Sequence, residues 1–581
     1  MRREPRPCTP DDDAPPASAA ERSHTTDIVL GPLLRYVGTT SATVWVETAA
    51  PTEVEVLGHR ARTFHVEGHH YALLLIENLQ PGALHPYEVR LDGHLVWPPT
   101  DGRPSPVIHT REGERQARLV FGSCRVGAPE SAPYTRAPAD DPAGLGVDAL
   151  WAYSRKLQEG DAQWPDGLLL LGDQVYADEV PPEIATFIRA RRDVREPPGE
   201  EIADFEEYTK LYRETWSDPD IRWLLSTVPT TMIFDDHDVN DDWNISQSWV
   251  EEMRSLPWWD ERITGAFMAY WLYQHLGNLS PPELAEETLF RQVQQDDDAG
   301  QRLRAFARIC DRESAASRWA YHRDFGRSRL LVIDSRAARV LADGRRDMID
   351  ADEWDWIAQH AHGSFDHLII ATTLPAFMPH GIHHLETWSE AVCDGRWGSL
   401  AARLGERVRR AVDLEHWAAF QRSFEQLVDL LRDVSRGLGG EPPATVTILS
   451  GDVHMTYVAR VELGGGAGPC RVNQVVCSPF RNPLIPLERR VMKATGSRAA
   501  AIIFSALARA CRVPVPSARW KLLSRPTYDN SIGELVLDER TASVTISRTA
   551  SEEDGHLLKV VRAYDLCEEP DGSPSGPTGA R

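Results

Sequence analysis

The chain has 581 residues, 42% of them apolar, and carries 63 Lys and Arg against 87 Asp and Glu, a formal net charge of -24. This length exceeds one ordinary core and calls for two or more domains, while the acidic surface repels nucleic-acid backbones and argues against a stable nucleic-acid partner. The eight cysteines are dilute and form no Cys-x-x-Cys pair, so no disulfide scaffold is indicated.

Residues 1–25 are poor in apolar side chains and rich in Pro, Asp and Ala, the composition of a disordered tail. Arg2 and Arg3 are followed by no apolar stretch. A classical export signal is therefore not expected, and the default location is cytoplasmic. From Ile28 the pattern changes to short strands. Ser41–Thr48 alternates with Ala42, Val44 and Val46 on one face, Thr52–Val56 repeats the alternation, and Tyr71–Leu75 and Tyr87–Leu91 follow, the last after a Pro81-Gly82 turn. These predict an N-terminal β-sandwich domain over 26–112, fibronectin-like, with Tyr87 as a candidate corner tyrosine. Its protein partner is unknown.

From about residue 117 to 562, longer apolar strands alternate with helices, the pattern of an α/β domain. A helix is predicted over 147–157, followed by a central strand Leu168–Leu171 whose four leucines suit burial on both faces. Residues 180–230 read as mostly helical. A helical insertion over about 240–325 carries Trp243, Trp249, Trp258, Trp259 and Trp271, which are expected to narrow a site or shape it for an apolar or aromatic group. Strands follow at 329–333 and 367–371, with a helix at 350–361 between them. The His-, Trp- and Gly-rich stretch 376–400 reads as a loop beside the site. A periodic helix is predicted over 411–436, strands over 446–449 and 472–478, helices over 483–515 and a hairpin over 532–547. No apolar run is long enough to span a membrane. The nearest, 499–508, reads as a buried helix face rather than a peripheral membrane contact. Residues 563–581 are polar and are expected to be a disordered C-terminal tail.

Four of the apolar strands end in chemistry. Leu119–Gly122 leads into Ser123-Cys124-Arg125, and Leu168–Leu171 into Gly172-Asp173-Gln174-Val175-Tyr176-Ala177-Asp178. Thr231–Phe234 leads into Asp235-Asp236-His237-Asp238, and Val446–Leu449 into Ser450-Gly451-Asp452-Val453-His454. Open α/β sheets place their sites just past such strand ends. Carboxylates held this close together beside apolar strands are costly unless cations neutralise them. Asp452 and His454 are two apart, so an extended backbone points both to one side. Oxygen and imidazole ligands suit zinc, iron or manganese, and a bridging aspartate suits two-metal hydrolysis. Taken singly, each aspartate could equally be a cap or a turn residue.

Together and in this order, these motifs resemble the PhoD-like alkaline phosphatases, a branch of the calcineurin-like binuclear metallophosphatases, over about residues 28–560. The stretch Ile333-Asp334-Ser335-Arg336 and Asn240 add to the likeness. The resemblance implies a four-layer α/β/β/α sandwich behind the N-terminal β-sandwich domain. It implies a metal-dependent phosphomonoesterase or phosphodiesterase that uses a metal-bridging hydroxide as nucleophile on a small-molecule phosphoester. It further implies two metal ions, Fe3+ with Ca2+, or Zn2+ or Mn2+ in their place. Asp173 would bridge the metals, Cys124 and Tyr176 would hold a ferric ion, and Asp235, Asp236, Asn240, Asp452 and His454 would complete the ligands. His237 would protonate the leaving group or steady the phosphoryl oxygen. Arg125 and Arg336 are either clamps on the phosphate oxygens or members of buried ion pairs. The usual second-metal histidine is missing from the pattern, and His380, His383 or His384 would have to supply it. A non-catalytic binding protein of the same fold and a metal-dependent hydrolase of another ester are the competing readings.

Overall fold

The computed structural model describes residues 26–113, 116–342, 345–550 and 557–568; the expected N-terminal tail lies outside these residues. Two large sheets carry a mixed α/β fold. The first has six strands in the order Thr230–Ile233, Gly167–Leu171, Gln116–Gly122, Ser531–Asp538, Thr541–Thr549 and Leu558–Asp565. Its first three strands are parallel and the remainder antiparallel. The second has seven, with Ser328–Ile333, His367–Thr372, Thr445–Ser450 and Arg471–Val476 parallel at its centre. The four leucines at 168–171 are all buried, as a strand covered on both faces requires.

Alternation along the second sheet divides its side chains between two cores. Leu330, Val332, Ile369 and Ala371 join Leu119, Leu168 and Leu170 of the first sheet. Leu331, Ile333, Leu368 and Ile370 turn the other way, toward Ile357, Phe424 and Leu427 on helices Ala351–Ala361 and Gln421–Ser435. On the first sheet, helix Ala149–Gln158 starts at Asp148, whose carboxylate accepts the Leu150 and Trp151 amides.

The N-terminal region holds two four-stranded sheets and a two-stranded ribbon, with Val44, Val54, Val89 and Leu91 between the sheets. Strand Ala42–Thr48 is buried on both faces, although its alternation alone indicates only one. Its second face, with Trp45 and Glu47, packs against Tyr273. Arg35, fully buried, donates to the carbonyls of Thr230 (3.0 Å), Tyr273 (2.7 Å) and Gln274 (2.7 Å). Residues Tyr270–His275 form a π-helical turn; such turns loosen the backbone ladder, and here the guanidinium takes up two of its carbonyls. Tyr87 differs from the corner-tyrosine expectation, because its hydroxyl donates across the boundary to the Ser226 carbonyl.

Several elements depart from the sequence reading. Residues 376–400 are not a loop: His380–Cys393 is a helix, largely buried. The helix predicted from 411 begins at Gln421, and the residues before it carry Asp413, Glu415 and His416 toward the strand ends. Trp243, Trp259 and Trp271 of the insertion are core side chains, so they pack rather than line a site, whereas the largely buried Trp249 shows one edge to a cavity. The last strand runs to Asp565, past the expected start of the tail, whose residues 569–581 lie outside those described. Helix Arg498–Ala510 buries only Ala508; the apolar face expected to be inside is exposed. Among the described residues, no helix is long and apolar enough to cross a membrane.

Candidate metal centre

The carboxyl ends of the parallel strands from both sheets meet at one place. Gly451 allows the meeting, since a Cβ there would lie 2.1 Å from Ser123 Oγ. Gly172 has φ +102°, and a Cβ on it would sit 2.7 Å from Asp235 Cβ. Ser123 Oγ accepts the Asp452 amide at 3.0 Å, tying the first sheet's loop to the second's. Cys124, Asp173, Asp452 and His454 all adopt left-handed backbone conformations, with φ of 56°, 50°, 65° and 45°. Such conformations cost about 1 kcal/mol or more each and persist where surrounding structure enforces them. Asp452 and His454 therefore do not share one side of an extended strand; tight turns aim them separately.

Two sets of potential ligand atoms, each set lying within 4.8 Å, have Asp173 in common: Cys124, Asp173 and His454, and Asp173, Asp235 and Asp236. A third set joins Asp236, His237 and Asp241. Tyr176 Oη lies 3.3 Å from Asp173 Oδ2 and accepts from Asn482 Nδ2 at 3.0 Å. The Cys124 sulfur accepts from Ser478 Oγ at 3.2 Å. Asp452 lies at the margin, paired with Arg336 Nη2 (3.0 Å) and His416 Nε2 (3.3 Å). Asn240 points its amide at the Asp241 carbonyl, 2.9 Å away.

The electrostatics favour cations. Burial first, then neighbouring acids, push the Asp173 carboxyl well above its ordinary range despite His237. Burial also raises Asp235, against the opposing pull of Arg336. Burial, with Asp173 and Asp452, raises the Cys124 thiol. Asp173 Oδ1 and Asp235 Oδ2 are buried without a hydrogen-bond partner. Buried carboxylate oxygens left this way are costly, and multivalent cations bound among them would reverse the local field. The donor set therefore fits a pair of metal ions.

Of the two readings of Arg336 and Arg125, their contacts match the buried ion pair. Arg336 is fully buried, and its nitrogens face Asp235, Asp236, Glu415 and Asp452. It is a fixed counter-charge inside the acidic cluster. Arg125 Nε pairs with Asp148 at 2.6 Å, and its Nη1 donates to the Thr215 carbonyl. His237 is held through Nδ1 by Asp178 at 2.9 Å, with its Nε2 3.7 Å from Asp241. Its ring packs 4.7 Å from that of Tyr176.

None of the three histidines offered for the missing second-metal ligand belongs to a ligand set among the described residues, and His384 stacks on His380 with ring centres 6.4 Å apart. His380 faces the Trp520 carbonyl, and His383 is packed against Phe424 and Trp520. His416 instead reaches Asp452, with its other nitrogen 2.6 Å from Glu386. Neither His416 nor Glu415 carries a sequence signal, since both sit in irregular backbone between helices. A cavity of about 320 Å³ opens beside Asp242, bordered by Trp249, Arg407 and Arg410.

Residues 149–481 match the PhoD-like phosphatase family, and residues 25–109 match a domain of unknown function, DUF7800. The solved structure titled "Structure of PhoD" shares 12% identity, with a TM-score of 0.57 over 97% of this chain and 95% of that one. A purple acid phosphatase from yellow lupin (Lupinus luteus) seeds shares 11%, with a TM-score of 0.44 over 92% of this chain and 73% of that one. No curated protein sequence matches the chain.

Proposed function

The chain belongs to the PhoD-like phosphatases, and from that premise we propose that it hydrolyses small-molecule phosphomonoesters, phosphodiesters or both with two bound metal ions. The observation that carries the reading is the sharing of Asp173 by two ligand sets. One carboxylate bordering two sites is what a bridged metal pair needs. The two large sheets with their common core, backed by helices on the outer faces, support the four-layer α/β/β/α reading.

Cys124, Asp173 and His454, flanked by Tyr176, would hold one ion. The thiolate and phenolate donors favour Fe3+ there. Asp173, Asp235 and Asp236 offer only oxygen and favour Ca2+, with Zn2+ or Mn2+ as substitutes. When bound, the pair supplies Lewis acidity and makes a coordinated water acidic near neutral pH, the source of the bridging-hydroxide nucleophile in this reading.

The chain's own groups do the rest. Asp178 fixes His237 through Nδ1, leaving Nε2 to hold a proton for the departing ester oxygen. Arg336 balances the ligand carboxylates and so keeps them together. Arg407 and Arg410, on the cavity beside Asp242, are placed to attract a phosphoester.

Elemental mass spectrometry on protein purified without added metal, paired with phosphomonoester and phosphodiester turnover, tests the proposal. About two ions per chain are expected. Asp173→Asn should lose both metal and turnover while remaining folded. A folded protein that takes up no metal, or an Asp173→Asn variant of undiminished activity, would reject it.

A further inference from the structure

Three helices stand out on one side of the molecule. Ser399–Ala411 and Arg498–Ala510 both pack on His380–Cys393, and Pro486–Thr495 precedes the latter. Gly405 faces Val392 and Cys393, and Gly381 lies under the Thr495 carbonyl. Trp388 joins the two flanks, its ring 5.7 Å from Trp397 and 6.4 Å from Phe504.

Their outward faces are apolar. Leu400 is 80% exposed, Leu404 62%, Leu487 65% and Ile502 73%. Leu400 and Leu404 are four residues apart, as are Leu487 and Val491, so each pair forms a stripe along its helix. A soluble surface rarely concentrates large aliphatic side chains in this way.

The same segments reverse the protein's charge. Residues 396–412 and 485–515 together contain eleven Lys and Arg against two Glu, in a chain of net charge -24. Between them lies a cavity of about 230 Å³ lined by Arg345, Arg346, Arg396, Arg422 and Arg512, with Glu390 and Asp394 as its acids. Arg346 stacks over Phe420 at 4.5 Å, and its Nε is buried without a hydrogen-bond partner.

We infer that this face docks on a bilayer surface bearing anionic phospholipids, the apolar stripes entering the headgroup boundary and the arginine cavity receiving a lipid phosphate. Amphipathic helices with basic flanks bind such surfaces through apolar burial and charge together. A second copy of the chain is a poor occupant, because two strongly basic faces would meet. The acidic remainder of the surface does not prevent docking, since charges beyond about 8 Å are screened at physiological salt. The inference is independent of the phosphoesterase reading, and its test requires no turnover.

The test is flotation of the full-length protein with vesicles of phosphatidylcholine alone and of an equal mixture of phosphatidylcholine and phosphatidylglycerol. The protein should float with the mixture and not with phosphatidylcholine, and high salt should release it. Arg396→Glu with Arg512→Glu should weaken binding by about thirtyfold or more. Ile502→Asp with Ile503→Asp should abolish it, and Leu487→Asp provides a separate probe should that pair fail to fold. No flotation, equal flotation with both vesicles, or full binding by the apolar variants would overturn the inference. So would light scattering that shows a dimer broken by Ile502→Asp, since the occupant would then be a second copy.

Discussion

Replacing Arg35 by Met tests whether the N-terminal region braces the metal centre. Arg35 is the fully buried donor to the Thr230, Tyr273 and Gln274 carbonyls. Its fourth partner, Asn278 Oδ1, also accepts the Met232 amide and so stays satisfied. Met has a similar volume and no donor, so three buried carbonyls lose a charged partner. Such hydrogen bonds contribute about 1.5–3 kcal/mol each. Relief from burying a guanidinium offsets several kcal/mol of that total, leaving a net loss of about 2–4 kcal/mol. Tryptophan fluorescence during urea denaturation follows unfolding of the chain, to which Trp45, 5.3 Å from the Tyr273 ring, contributes at the junction. With an m-value of about 2 kcal/mol/M in urea, the midpoint should fall by about 1–2 M. Activity should fall as well. Gln274 donates to Asp238, and Asp238 in turn accepts the amides of Asp235, itself a proposed ligand, and of Val175, which precedes Tyr176. Superimposable denaturation curves for the parent and Arg35→Met would refute the energetic reasoning. A lowered midpoint with turnover intact up to the transition would refute the coupling through Gln274.

The junction also has a pH dependence. Burial lowers the His69 pKa, but its hydrogen bonds to Glu206 and Glu47 outweigh this and raise it from 6.5 to about 9. The pairing should therefore stabilise fully below pH 6.5 and fade as pH rises through about 9. The stability gap between the parent and His69→Gln should close over that window in denaturation series. Tyr176→Phe should remove any visible absorption arising from phenolate-to-Fe3+ charge transfer; an unchanged spectrum with iron bound would exclude Tyr176 as a ligand. His416→Gln should weaken metal binding by about 10–100-fold through Asp452 without unfolding the chain, as read by titration of the metal-free protein. Removing metal with a chelator should lower the thermal midpoint, since ligation at 100-fold over Kd contributes about 2.7 kcal/mol. An unmoved midpoint in calorimetry would count against metals compensating the buried acids.

The scaffold and the types of most candidate ligands were set by the sequence alone. Strands covered on both faces are near-continuously apolar, so Leu168–Leu171 and Val446–Leu449, broken only by Thr447, announced themselves, and the acids shortly after them read as strand-end residues. Long-range partnership has no such local signature. Arg336 lies 101 positions from Asp235 and 116 from Asp452, and nothing in its neighbours distinguishes a counter-charge from a phosphate clamp. His416 reaches Asp452 from irregular backbone with no periodicity to read. The left-handed turns at Cys124, Asp173, Asp452 and His454 are enforced by contacts between sheets rather than by residue preference. Periodicity likewise shows that a helix has an apolar face, but not whether anything covers it. Thus His380–Cys393 was buried by its neighbours, while Arg498–Ala510 was left facing solvent. Local pattern set which residues could be inside; only packing of distant segments decided which were, and with which partners.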